Sequence, residues 1–241
     1  MTLDGRVVVT GGTSGIGLAL VELLTRRGVR VLTCARQADQ LDTLMRLHPG
    51  VEGRVVDLAD PVAVDLFARE AASAPDLVGL INNAAGQDNL ALVDQTSAAI
   101  DREIRANFTA PTILAARLIP HLPEDSGFVV NLTSGLAIAP KSSSAVYCAT
   151  KAALRNLTIG MRNQMAPAGR SLLIMDVVLP LVDTPMTRGR GGGKIRPEAV
   201  ARRIVRAILR EEDEVYVGRA GLLRVVNRLA PGLARRIMRR G

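Results

Sequence analysis

The stretch from Arg6 to Leu24 constrains the fold more than any other part of the chain. Arg6-Val-Val-Val-Thr10 is a β-branched run suited to a buried strand, and Leu18-Ala-Leu-Val-Glu-Leu-Leu24 has helical apolar spacing. Gly11-Gly-Thr-Ser-Gly-Ile-Gly17 stands between them. Strand, glycine turn and helix in that order form the context of a dinucleotide-binding fingerprint. Gly11 permits the tight turn, Gly15 lets the backbone approach a pyrophosphate, and Gly17 allows close helix–strand packing. Free amides at the helix start, around Thr13, Ser14 and Ile16, then face the phosphates.

The alternation continues to the end of the chain. A second strand, Val29 to Arg36, is followed by a helix near 39–48, a strand Gly53 to Asp57 and a helix over 61–73. Strand Leu77 to Asn82 precedes one long helix over 96–122, and strand Gly127 to Ser134 precedes a helix over 145–166. Strand Ser171 to Leu179, a helix over 197–211 and a short strand Val215 to Val217 complete the pattern. Strands separated by helices imply right-handed crossovers and a parallel sheet. The expected class is α/β, a Rossmann-type doubly wound parallel sheet of about seven strands with helices on both faces. No internal repeat and no boundary appears, so residues 1–241 read as a single domain.

Composition excludes several functions. Hydrophobic residues are 48% of the 241, enough for a sizeable core, while aromatics at 2% leave almost nothing for stacking on bases. No nucleic-acid partner is expected. There is no run of about eighteen apolar residues, so no membrane span. The first residues lack the features of a signal peptide. Cys34 and Cys148 offer neither metal spacing nor a disulfide framework, and a reduced, cytoplasmic protein without a metal is the simplest expectation. The net charge of +8 is concentrated at the end, where residues 219–241 hold seven arginines and no acid.

Chemistry is concentrated between Ser134 and Lys151. If Tyr147 and Lys151 lie on one helix, phenol and ammonium share a face one turn apart. A phenol has an ordinary pKa of about 10, and a fixed cation nearby lowers it. Such a pair reads as acid–base machinery, with Ser134 placed to hold the oxygen that gains or loses the proton. Arg36 ends the second strand where an acid would select NAD, and no Asp or Glu occupies residues 31 to 38. An arginine there meets a 2′-phosphate, so NADP is favoured over NAD. Asp57 and Leu58 end the third strand, where Asp57 suits either an adenine amine or the cap of the next helix. Residues 183–197, rich in glycine and bases, read as a mobile lid following a strand end. The 219–241 tail places Leu222, Val226, Leu229, Leu233 and Ile237 at helical spacing. Such a basic amphipathic stretch can contact an anionic membrane surface or an acidic partner, or pack against the domain or a sister subunit.

Together these residues resemble the short-chain dehydrogenase/reductase family in its single-domain form, over Thr10 to about Met186. Thr10 to Gly17 is similar to the family's Thr-Gly-x-x-x-Gly-x-Gly turn, and Asn82-Asn-Ala-Ala resembles Asn-Asn-Ala-Gly. Asn107, Ser134, Tyr147 and Lys151 match its catalytic tetrad. Pro180-Leu-Val-Asp-Thr-Pro-Met resembles Pro-Gly-x-x-x-Thr, with Leu181 in the glycine's place. The same stretch and the tail look like a sub-branch labelled as a D-alanylation-operon oxidoreductase. The resemblance implies cofactor contacts at Asn83, Ala84, Pro180, Val182 and Thr184, added bulk at Leu181 near the nicotinamide, and a Lys151 that also holds the nicotinamide ribose. It implies hydride exchange between NADPH and a small carbonyl or alcohol, with Asn107 anchoring a relay water, in a homodimer or homotetramer built through the long helices. Two alternatives stand beside it: a cofactor-binding scaffold or sensor with a basic tail, and an isomerase or dehydratase using the same site.

Overall fold

A computed structural model of the chain describes residues 3–165 and 171–239. Seven strands form one sheet: β1 (Arg6–Thr10), β2 (Arg30–Ala35), β3 (Val51–Val55), β4 (Leu77–Asn82), β5 (Phe128–Ser134), β6 (Leu173–Leu179) and β7 (Glu214–Tyr216). Their order is β3-β2-β1-β4-β5-β6-β7 and every pairing is parallel. The chain winds outward from β1 to β3, then restarts on the other side of β1 with β4. That reversal parts the connections leaving β1 and β4 and opens a crevice at the strand C-termini.

Helices α1 (Gly15–Thr25), α2 (Ala38–Leu47) and α7 (Pro197–Leu209) cover one face. Helices α3 (Pro61–Ala72), α5 (Ala110–Leu118) and α6 (Ala145–Met165) cover the other. Alternation along β1 feeds both layers. Val7 and Val9 pack with Leu20, Leu24, Ile204 and Ile208, while Val8 packs with Leu32, Phe67, Leu114 and Leu118. Full burial of a leucine such as Leu20 contributes about 1.5–3 kcal/mol. Helix α3 starts at Pro61 and is capped by Asp60, whose Oδ1 accepts from the Val62 amide at 2.9 Å. Of the two roles read for Asp57, the cap of this helix falls instead to Asp60, three residues later.

Two expected elements differ. The third strand runs over Val51–Val55, two residues before its predicted place, because a turn at Gly50 with φ +94° sets Val51 opposite Val31. The long helix over 96–122 runs without a gap from Ser97 to His121 but is irregular. Helix α4 (Ser97–Ile104) passes into a π turn at Arg105–Thr109, then α5, then a 3-10 turn at Ile119–His121. Pro111 is the cause: it has no amide to donate, and its ring would collide with the carbonyl of Asn107. The ladder widens instead, and the Ala110 amide reaches back to the Arg105 carbonyl.

The tail forms α8 (Ala220–Leu229) and α9 (Pro231–Met238), with the break at Pro231. Leu229 is 79% exposed, and Leu222, Leu233 and Ile237 are also exposed, so this apolar stripe is not packed on the domain. Arg240 and Gly241, and Ala166 at the predicted end of α6, lie outside the described residues. No described helix is long and apolar enough to cross a membrane.

Gly79 on β4 is a packing test of the sheet. A methyl group there would overlap the Phe128 ring on β5. Gly79→Ala is expected to lower the free energy of urea unfolding by about 1–3 kcal/mol. Adding Phe128→Leu should recover part of that loss, and an unchanged midpoint in the single variant would contradict this packing.

Candidate active site

The crevice has a volume of about 960 Å³. Gly11, Thr13, Ser14, Gly15, Ile16, Arg36, Asp57, Leu58, Asn83, Ala84, Tyr147, Lys151 and Thr184 line it, as expected from the sequence. Gly17, Asn107, Ser134, Pro180 and Val182 stand outside that lining. Thr133 does line it, as does Leu179, the ladder partner of Ser134.

The glycine turn is fixed from behind by hydroxyls and an amide. Thr33 Oγ accepts from the Gly12 amide at 3.0 Å and donates to the Val9 carbonyl at 2.6 Å. Thr10 Oγ accepts from the amides of Asn83 and Ala84, each at 3.0 Å. Asn83 Nδ2 donates to the Thr10 carbonyl at 2.8 Å, which ties the β1 turn to the β4 turn. Gly11 and Gly15 adopt φ of +70° and +55°. A Cβ at Gly15 would come within 2.9 Å of Thr184, and one at Gly17 would strike the Gly11 carbonyl oxygen. Ser14 caps α1 without a side-chain bond, so the first amides of the helix are available to a ligand. This bare cradle at a helix N-terminus fits a pyrophosphate.

At one end of the crevice Arg36 and Arg102 flank Asp57. Arg102 donates to Asp57 Oδ2 at 3.0 Å, and the Ala59 amide donates to Oδ1 at 3.0 Å. Burial opposes ionisation of Asp57, but the Ala59 amide, Arg102 and the charge of Arg36 together hold its carboxyl below the usual range.

At the other end α6 presents Tyr147 and Lys151, 9% and 3% exposed, with the ammonium 5.8 Å from the ring centre. Lys151 Nζ donates to the Leu132 carbonyl at 2.8 Å. Burial lowers the lysine's pKa to about 8, while the charge of Asp176 on β6 acts in the opposite direction. The phenol departs from expectation. Burial pushes Tyr147 well above its ordinary value, the charges of Cys148 and Glu103 add to this, and Arg190 is the cation that pulls it down. Ser134 is extended and its Oγ accepts from the Leu136 amide at 3.1 Å, which leaves its own hydrogen to donate.

Asn107 sits in the π turn, fully buried. Its Nδ2 donates to the Gly86 carbonyl at 2.8 Å and to Thr150 Oγ at 3.3 Å, and its Oδ1 accepts from the Gly86 amide at 2.8 Å. Both amide hydrogens are therefore used in bracing the β4 turn against the helix of Tyr147. Leu181 also differs from expectation. It lies outside the crevice lining and packs beneath Gly191, where a Cβ would come within 2.7 Å.

Several residues had no sequence assignment. Asn82 Nδ2 donates to Asn131 Oδ1, and Asn131 Nδ2 to Thr158 Oγ, each at 2.8 Å, which carries a buried amide ladder from β4 to α6. Asp176 is fully buried, accepts from Thr133 Oγ and lies 3.5 Å from Arg155. Polar residues inside otherwise apolar strands were the readable signal for Asn131 and Asp176. Arg102 and Glu103 carried none, because on a helix they read as ordinary surface charges. Glu103 is in fact buried, lines the crevice and accepts from the Asp88 amide and Gln95.

A glycine cradle at a helix N-terminus and a buried Tyr–Lys pair share one crevice, which defines a dinucleotide-dependent oxidoreductase. The chain belongs to the short chain dehydrogenase family, whose profile matches residues 6–193. It is 33% identical over 189 residues to the uncharacterized oxidoreductase DltE of Bacillus subtilis (strain 168), covering 77% of this chain and 74% of that protein. It is 33% identical to the D-erythrulose reductase of Gallus gallus, covering 87% and 84% of the two chains. A short chain dehydrogenase from Burkholderia cenocepacia J2315 in complex with NADP superposes with a TM-score of 0.87 at 26% identity, over 99% of both chains. One from Sphingobium yanoikuyae in complex with NADPH gives 0.83 at 26% identity, over 95% and 94%.

Because Lys151 titrates near 8 in the fold against 10.5 for the free group, the unfolded chain binds more protons between those values. Stability from this group therefore rises as pH climbs from about 8 to 10.5. Against Lys151→Met, the wild type should gain unfolding free energy across that window, measured by urea titration at fixed pH. A constant difference would mean that the ammonium is not desolvated.

Proposed function

We propose that the protein is an NADP-dependent oxidoreductase that interconverts a carbonyl and an alcohol, with Tyr147 as general acid and base. The observation that carries this reading is the Tyr147–Lys151 pair lining the same crevice as the Gly11–Gly17 turn. When bound, the nicotinamide dinucleotide supplies or accepts the hydride. Gly15 and the first amides of α1 hold its pyrophosphate. Arg36 and Arg102, two cations beside one already neutralised carboxylate, suit a 2′-phosphate at the adenosine end.

Ser134 donates to the substrate oxygen through the hydroxyl hydrogen that Leu136 leaves free. Tyr147 stays protonated at neutral pH because burial holds its pKa up, so in the direction of reduction it gives its proton to the developing alkoxide. Lys151, with its pKa near 8, is mostly an ammonium at pH 7 and stabilises the phenolate that remains. Asp176 keeps the lysine charged, and Asn107 keeps Gly86 and α6 in register.

Tyr147→Phe is expected to lower kcat for ketone reduction at least about a hundredfold, the scale of positioned acid catalysis, with unchanged NADPH binding in a fluorescence titration. The reduction rate should hold steady through neutral pH and fall as pH passes about 8, where Lys151 loses its proton. An acid-limited profile would assign the proton elsewhere. Arg36→Leu combined with Arg102→Leu should weaken NADPH about 10- to 100-fold and leave NADH nearly unchanged. Equal losses for both nucleotides would exclude a 2′-phosphate contact.

A further inference from the structure

Beyond the dinucleotide crevice and Tyr147, an arc of polar side chains has no task in the chemistry above. Arg190, in the glycine-rich 183–197 segment, donates through Nη1 to Gln87 Oε1 at 2.6 Å. Gln87 lines the crevice, and its Nε2 donates to Ser144 Oγ at 3.1 Å. Ser144 Oγ lies 3.2 Å from Asn89 Oδ1, which accepts from Lys141 Nζ at 2.6 Å. The arc thus begins and ends on a cation and hangs over the first turn of α6, where Tyr147 sits.

Two features of this arc are costly unless a ligand completes it. Lys141 is only 9% exposed, yet its ammonium meets a neutral amide oxygen rather than a carboxylate. Among the described residues no Asp or Glu pairs with Lys141 or with Arg190; the nearby acids, Asp88 and Glu103, pair with neither. A buried ammonium without a counter-charge is expensive. The two cations also act on each other: burial lowers the pKa of Lys141, and Arg190 lowers it further. Arg190 acts on Tyr147 as well, so it stands within electrostatic reach of the reacting oxygen. The rest of the segment is held down. Ile195 and Leu181 pair through their backbones at 3.1 Å, and Lys194 Nζ donates to the Thr187 carbonyl at 2.7 Å. Gly189 and Gly191, at φ +74° and +47°, flank Arg190 and set its backbone path.

We propose that the substrate carries an anionic oxygen group, a carboxylate or a phosphate, bound between Lys141 and Arg190 while its carbonyl faces Tyr147. This deepens the reading of the site as a carbonyl reductase and rests on it for the reacting end alone. The anion would give both cations the counter-charge they lack, and Gln87 would orient it. The preference for such a group is a property of the Gln87, Asn89, Lys141, Ser144 and Arg190 side chains, independent of the cofactor.

Two matched pairs test it: acetoacetate against 2-pentanone, and dihydroxyacetone phosphate against dihydroxyacetone. Binding is measured by calorimetry with NADP⁺ present, so that no hydride can be delivered to the ketone, and turnover is measured with NADPH. Wild type is expected to bind at least one anionic probe about tenfold or more tighter than its neutral partner. The better of the two pairs distinguishes carboxylate from phosphate. Arg190→Gln and Lys141→Met should each collapse that ratio toward one, and Arg190→Lys should restore part of it. Arg190 is half-buried on a loop, so its variants test the site even if Lys141→Met fails to fold. Equal affinity for charged and neutral probes in wild type, or a ratio untouched by Arg190→Gln, would overturn the proposal. Anion binding that depends on Arg190 without any ketone reduction would leave the anion site standing and refute the carbonyl reductase instead.

Discussion

The site depends on keeping a lysine ammonium inside the protein. Lys151 is 3% exposed and hydrogen-bonded to a single carbonyl, that of Leu132, yet it keeps a pKa near 8. A buried amine with no acid within reach would be neutral at physiological pH. The charge of Asp176, fully buried on the neighbouring strand and supported by Thr133 and Arg155, acts against that loss. Strands β5 and β6 therefore do more than supply apolar walls. They place Lys151 and Asp176 at the depth of the Tyr147 phenol.

The crevice is polarised along its length. One end gathers guanidinium groups around an ionised carboxylate already paired with Arg102, and the other presents a phenol whose surroundings resist ionisation. The glycine turn between them contributes no charged side chain, only backbone amides and room. Charge at the ends and bare backbone in the middle suit a long ligand with several anionic groups.

Much of this was legible in the sequence because it depends on local pattern. Gly11 to Gly17 between a β-branched run and a helix marked the crevice, and Tyr147 with Lys151 one turn apart marked the face of the helix that lines it. Periodicity recovered all seven strands, with β3 displaced by two residues because the turn at Gly50 leaves no hydrophobic signal. The long helix was recovered as one run but its π turn was not, because apolar spacing over 96–122 concealed Pro111, a residue whose missing amide outweighs the pattern around it. The electrostatics were misread for a different reason. Spacing places a cation beside a phenol, but burial decides the sign of the shift, and burial is a property of the whole fold. Arg102, Arg190 and Lys141 likewise acquire meaning only from residues far away in the chain, Asp57, Gln87 and Asn89.

The π turn at Arg105–Thr109 has a consequence for how this chain can change. It holds one more residue than an ordinary turn, and the surplus swings Asn107 inward. Removing any single residue there would rotate Ala110–Leu118 by about 100° against Ser97–Ile104, which would lift Leu114 and Leu118 off the sheet. The irregularity and the hydrophobic layer are locked together, so loss of the kink would be a lesion of the core before it was a lesion of the chemistry.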